Sequence, residues 1–134
     1  MRYLIVVKAT PASEAGVMPA EELFRAMRKY HEELRKAGVL IDAAGLMPSS
    51  KGWRVEYRGK NASIVDGPFA ETKELIAGYT IIDVQNEAQA RELTRRFPQP
   101  SAEGIDCHIE VRRYYEMEDF AEHPCVADFD HIPG

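Results

Sequence analysis

Two cysteines, Cys107 and Cys125, are all that this chain of 134 residues carries, too few for a disulfide framework. Basic charge is also scarce: 17 Lys and Arg stand against 22 Asp and Glu, for a net charge of −5. The basic doublets, Arg95-Arg96 and Arg112-Arg113, sit among acids, so no face is built for a phosphate backbone and nucleic acid is excluded as a partner. Long apolar runs are missing too. Leu4-Ile5-Val6-Val7 stops at Lys8, far short of a signal core or a membrane span, and the expectation is a cytoplasmic protein with no membrane partner. There is no Gly-rich phosphate loop, nucleophile elbow or dinucleotide fingerprint. Cys107, His108, His123, Cys125 and His131 lack any CxxC or HxxxH spacing, and no metal or cofactor is expected.

What is present is an ordinary globular composition, 45% apolar and 29% charged, on a chain long enough to bury its own core. Arg2 to Thr10 reads as a buried strand, short and β-branched. Pro11 to Val17 reads as a loop. Pro19 opens a helix in which Leu23, Met27, Tyr30, Leu34 and Ala37 form one apolar stripe. Gly38 ends it, with Val39 closing back on Leu34 in a Schellman motif. Val39 to Leu46 is a second strand. Trp53, Val55 and Tyr57 alternate with Arg54, Glu56 and Arg58, the period of a strand with one wet face, and Gly59-Lys60-Asn61 turns it into Ala62 to Val65 as a hairpin. A further strand runs through Tyr79 to Val84. Asn86 and Gln89 have capping-box spacing ahead of a helix whose Ala90, Leu93 and Phe97 face inward until Pro98. In the last strand Ile105, Cys107, Ile109 and Val111 alternate with polar residues, which makes Cys107 a core residue.

The order β-α-β, hairpin, β-α-β predicts an α+β fold, a ferredoxin-like βαββαβ unit with an inserted β-hairpin. Residues 1–115 form the domain and 116–134 an acidic, Pro-containing extension packed on the domain or on a partner. Two helices cover only one sheet face. The surplus of apolar strand positions (Ile5 or Val6, Ile81 or Ile82, and Ile109) calls for a second copy on the other, so the expected assembly is a homodimer.

One stretch is highly specific: Asp66-Gly67-Pro68-Phe69-Ala70-Glu71-Thr72-Lys73-Glu74. It resembles the signature of the DGPF branch of the YCII-related family. Gly78-Tyr79, Ile109-Glu110-Val111-Arg112 and Met117-Glu118-Asp119-Phe120 extend the likeness over most of residues 1–120. The resemblance implies a dimeric α-β barrel, no settled activity, and a regulatory setting with sigma-factor association. It also implies a histidine in the first long helix that forms an acid–base dyad with an aspartate. His31 falls at about that place, and Tyr30 competes for the equivalence.

Read from the residues alone, Gly67 supplies a backbone angle, Pro68 stiffens the turn and Phe69 anchors it. Asp66, at a strand end, either aims its carboxylate into a cleft or bonds the turn's own N–H groups as an Asx-turn. His31 lies at the edge of the apolar stripe, suited to general acid–base work or else satisfied as a boundary histidine. Glu71, Lys73 and Glu74 either bind polar substituents of a small-molecule ligand or pair with one another at the rim. Asp42 is a lesser candidate partner for His31. Two functions follow: a cofactor-independent lyase, isomerase or hydrolase on a small polar or aromatic compound, with His31 and Asp66 in one pocket, or a small-ligand-binding or regulatory module.

Overall fold

The computed structural model describes residues 1–101 and 106–123. Strand β1 spans Arg2–Lys8, a short helix α1 Pro11–Glu14, the long helix α2 Glu21–Lys36 and strand β2 Leu40–Gly45. The hairpin strands β3 and β4 span Trp53–Arg58 and Asn61–Asp66, followed by β5 (Ile76–Asp83), helix α3 (Glu87–Arg95) and β6 (Ile109–Arg113). The main sheet has the order β2-β5-β1-β6, antiparallel at each described pairing, and β3-β4 form a separate two-stranded sheet. This is a mixed α+β fold with the strand order of a ferredoxin-like unit.

Local chemistry accounts for the helix ends. Thr10 and Ser13 cap α1 reciprocally, each accepting the other's backbone N–H, so residues expected as loop wind into one helical turn. Helix α2 begins two residues after Pro19, with Glu21 and Glu22 at its positive end. It closes in a Schellman motif: Gly38 takes φ +75°, its N–H donates to Arg35, and Val39 N–H donates to Leu34. Asn86 caps α3 by accepting from Gln89 N–H, whereas the Gln89 side chain reaches past it to the N–H of Gln85.

The core lies between α2, α3 and one face of the main sheet. Tyr3, Ile5, Ile82 and Val84 from the sheet side meet Tyr30, Leu34, Ala90 and Leu93 from the helices, and Ile5 and Ile82 retain no solvent exposure. Burying each such side chain contributes about 2 kcal/mol. Ile109 packs against this core, on the helix side of the sheet rather than on the open face assigned to it from sequence. On the open face Leu4 is paired with Ile81 and Val6 with Tyr79, all half-buried. The last strand starts only at Ile109. Cys107 precedes it and is half-buried rather than part of the core, while Ile105 lies outside the described residues. The hairpin differs most from expectation, because both of its faces are exposed in the single chain, with Trp53 64%, Tyr57 75% and Ile64 71% accessible. Of the C-terminal extension, Glu116 is tied to β1 through Arg2, and residues 124–134 lie outside the described part.

The turn after β4 is held by two residues distant in sequence, Glu14 and Ser49. The Glu14 carboxylate accepts from both the N–H and the hydroxyl of Ser49, whose oxygen in turn accepts the N–H of Phe69 at 3.0 Å. Gly67 N–H donates to Gly52 at 3.0 Å, and a Cβ at Gly67 would overlap the Ser49 carbonyl oxygen. Gly67 is therefore required for close backbone approach, not for a left-handed angle; the positive-φ glycines among the described residues are Gly16, Gly38 and Gly59. The Arg54 guanidinium covers the Phe69 ring at 3.8 Å, joining the hairpin to the turn.

Two predictions follow from this packing. Tyr30 is 6% exposed and donates its hydroxyl to Leu93 carbonyl at 2.7 Å. Burial, opposed by Arg96 and reinforced by Glu33, pushes its pKa from 10.0 up to about 12. Folding thus favours the protonated phenol. Its contribution is complete below pH 10.0 and is lost as pH rises through about 12. Tyr30→Phe should cost about 1–2 kcal/mol in urea denaturation at neutral pH, and the gap from the parent should narrow across that alkaline window. At the turn, Gly67→Ala should destabilise by about 2–3 kcal/mol and Ser49→Ala by about 1–3 kcal/mol. Asp66→Asn should stay within about 0.5 kcal/mol. A large effect of Asp66→Asn with a small one of Ser49→Ala would reverse the roles assigned to the two residues.

Candidate functional site

Small residues on the strands leave room beneath the long side chains of α2. Ala43, Ala44 and Gly45 of β2 and Ala77 and Gly78 of β5 line, with Leu23, Phe24 and Met27, a cavity of about 380 Å3 to which Phe97 and Pro100 also contribute. The closeness of the two strands requires glycine at position 78, since a Cβ at Gly78 would stand 2.9 Å from the Ala44 carbonyl oxygen.

His31 lies in the wall of this cavity, one helical turn after Met27. Its Nδ1 is 2.8 Å from the Met27 carbonyl oxygen, which can only accept, so Nδ1 carries a proton. Nε2 lies 2.8 Å from the Thr80 hydroxyl and, in the neutral ring, accepts from it. When Nε2 gains a proton, the hydroxyl can turn and accept instead. The Nε2–hydroxyl contact can therefore be kept with the proton on either partner. Thr80 is 1% exposed, the one buried polar side chain among the described residues. Sequence reasoning missed it, because one threonine within Tyr79–Ile82 carries no signal beyond strand propensity. Between the two rivals for the family histidine, Tyr30 points into the core and His31 into the cavity.

The other candidates are elsewhere. Asp66 is exposed at the end of β4, lines neither cavity described here, and makes no side-chain hydrogen bond or ion pair within the described residues. It does not form the Asx-turn considered for it, because the turn's N–H groups go to Gly52 and Ser49. Asp42 accepts from the Tyr79 hydroxyl at 2.9 Å and, chiefly through that bond, raises the Tyr79 pKa. Tyr79 alternates with the buried, helix-facing Thr80, which puts the pair on the far side of the sheet from His31. Glu71 and Lys73 line a second cavity of about 690 Å3 together with Lys8, Asp106, Cys107 and His108, and they form no ion pair with each other. Glu74 is exposed and lines neither cavity. The structure thus brings His31 to one cavity and Glu71 and Lys73 to a neighbouring one, and it does not bring Asp66 to either.

Among the described residues no group of three His, Cys, Asp or Glu side chains is placed to hold a metal ion, and Cys125 and His131 lie outside them. No helix of the described residues is long and apolar enough to cross a membrane.

Three comparisons bear on identity. The chain is 34% identical to an uncharacterised protein of Rhizobium meliloti (strain 1021) over 74 residues, which is 55% of this chain and 56% of that one, so the matched stretch spans about half the relative's length. Among solved structures, 5-chloro-2-hydroxyhydroquinone dehydrochlorinase from Burkholderia phenoliruptrix AC1100, in complex with 2,5-dihydroxybenzoquinone, aligns with a TM-score of 0.49 and 15% identity over 89% of this chain and 98% of that chain. The YCII-related domain matches residues 1–118, from β1 through the turn that follows β6. The chain belongs to the YCII-related domain family.

Proposed function

We propose that this chain is a cofactor-independent acid–base enzyme, a lyase, isomerase or hydrolase acting on a small aromatic compound, with His31 as the group that moves the proton. The observation that carries the reading is the His31 ring itself. Its Nδ1 is fixed by a backbone carbonyl and its Nε2 meets one exchangeable hydroxyl in the wall of a largely apolar cavity. That is the arrangement of an oriented base: one nitrogen sets the tautomer, and the other is held by a hydroxyl that can either give or accept a hydrogen bond. The largely hydrocarbon walls suit an aromatic body. Within one protomer His31 works without Asp66, which stands away from this cavity. The run Asp66–Glu74 assigns the chain, in this reading, to the DGPF branch of its family, and the role given to that run is to build the turn held by Ser49.

The working unit in this reading is a homodimer in the cytoplasm. The hairpin exposes Trp53, Tyr57 and Ile64 from a two-stranded sheet, an element only marginally stable without further packing. The open face presents the half-buried row of Leu4, Val6, Tyr79 and Ile81. A second copy covers both with the same residues that it exposes itself.

Purified protein screened against aromatic metabolites by thermal shift should give a stabilising ligand. With that ligand as substrate, His31→Gln should keep binding and lower turnover by about 10²- to 10⁴-fold. Full activity in His31→Gln would overturn the assignment, and a ligand that binds but is never turned over would make the protein a binding module. Light scattering coupled to size exclusion at micromolar concentration should give twice the chain mass of 15.1 kDa. A mass of one chain would overturn the dimer.

A further inference from the structure

Lys8 stands at the end of β1, in the walls of both cavities. It and Arg2 are the only lysine or arginine residues among those described that are half-buried rather than exposed. Arg2 is partnered, by Glu116 at 3.6 Å and by the Tyr114 ring at 5.0 Å. Lys8 has no hydrogen-bond or ion-pair partner among the described residues. A cation drawn partly out of water without a partner is unfavourable unless something else supplies the opposite charge.

Its position shows what that could be. Lys8 lines both cavities, and β1 and β5 shift register between Val7 and Lys8, where the regular alternation of the strand breaks down. In the second cavity two lysines, Lys8 and Lys73, face two carboxylates, Glu71 and Asp106, so that cavity carries no surplus of positive charge. In the His31 cavity Lys8 is alone. No aspartate or glutamate lines that cavity, and Lys8 is the single lysine or arginine in its wall. The hydroxyls of Thr10 and Ser13 are engaged in capping α1, and His31 and Thr80 bond each other, which leaves the ammonium as the charged side chain without a partner in this wall. A cavity with hydrocarbon walls, one cation and no carboxylate favours a negative group attached to an apolar body.

We propose that the His31 cavity selects anionic ligands, an aromatic ring bearing a carboxylate or phenolate oxygen, and that Lys8 is the residue that binds this charge. The proposal rests on the reading of the His31 cavity as the ligand site. Lys8 is thereby a specificity-determining residue, distinct in role from the proton-transferring His31. Lys8 is shared by the walls of both cavities, and its flexible stem lets the ammonium reach an anion held in the first.

Benzoate and benzamide share a ring and nearly a shape but differ in charge, and they are the probes. Titrated into the full chain, with binding followed at the backbone amides of Gly78 and Thr80 by NMR, benzoate should bind about tenfold or more tightly than benzamide. Lys8→Met should remove the preference while leaving benzamide affinity unchanged, and Lys8→Arg should preserve it. Equal affinities in the parent chain, or a preference that persists in Lys8→Met, would overturn the role of Lys8 and leave the cavity reading standing. If neither compound perturbs Gly78 or Thr80, the cavity reading itself fails and this proposal with it. The comparison in the parent chain decides even if Lys8→Met does not fold.

Discussion

The alternation of β5 is the constraint on which the rest of the molecule depends. Its helix-facing residues run Ile82, Thr80, Gly78, each buried, and they shrink and change character in that order. Ile82 has no exposure and seals the core under α2 and α3. Thr80 has the same burial but a hydroxyl, and it meets His31. Gly78 has no side chain, and the cavity opens above it. One strand therefore carries the protein from packed hydrocarbon to a hydrogen-bonded pair to free space in five residues. A one-residue slip would send Tyr79 and Ile81 under the helix and move Thr80 to the far face, so the core and the site share a single register.

Helix α2 is the matching half. Its stripe delivers Tyr30 and Leu34 to the core while Leu23, Phe24, Met27 and His31 line the cavity toward its N-terminal part. The Schellman closure at Gly38 and the return of Val39 into the core fix how far along the sheet the helix can sit. The Tyr30 ring also packs edge-on to both His31 and Phe97, at centroid distances of 5.7 and 5.1 Å. A core residue thus braces the imidazole on one side while Met27 and Thr80 fix its nitrogens. Position and tautomer both come from residues outside the signature motif.

That motif serves a different end. Asp66 to Glu74 looks like a catalytic loop because it concentrates charge around a constrained turn. In three dimensions the turn is organised by Ser49 and Glu14, and its phenylalanine lies beneath Arg54 of the hairpin. The result is a knot that ties α1, the segment before β3, and the exit of β4 to one another. Since α1 also borders the His31 cavity, this knot shapes one rim of the site without donating its carboxylates to it.

The sequence by itself determined what depends on neighbours along the chain. Stripe spacing, the Gly38 stop, the hairpin with its turn at Gly59-Lys60 and the two-helix, ferredoxin-like order were legible, because each is set by interactions within a few residues. Asn61, read as part of that turn, proved to belong to β4. Local chemistry even decided one element that pattern reading passed over, the α1 turn, through the pairing of Thr10 with Ser13. Only the tertiary structure decided which candidates share a site. His31 met Thr80 across 49 positions and Ser49 met Glu14 across 35, while Asp66 was left exposed on an arm. It also assigned Ile109 to the helix side and placed Lys8 between two cavities, because a strand's parity, once a bulge or a late start intervenes, is fixed by its partner strands and not by its own residues.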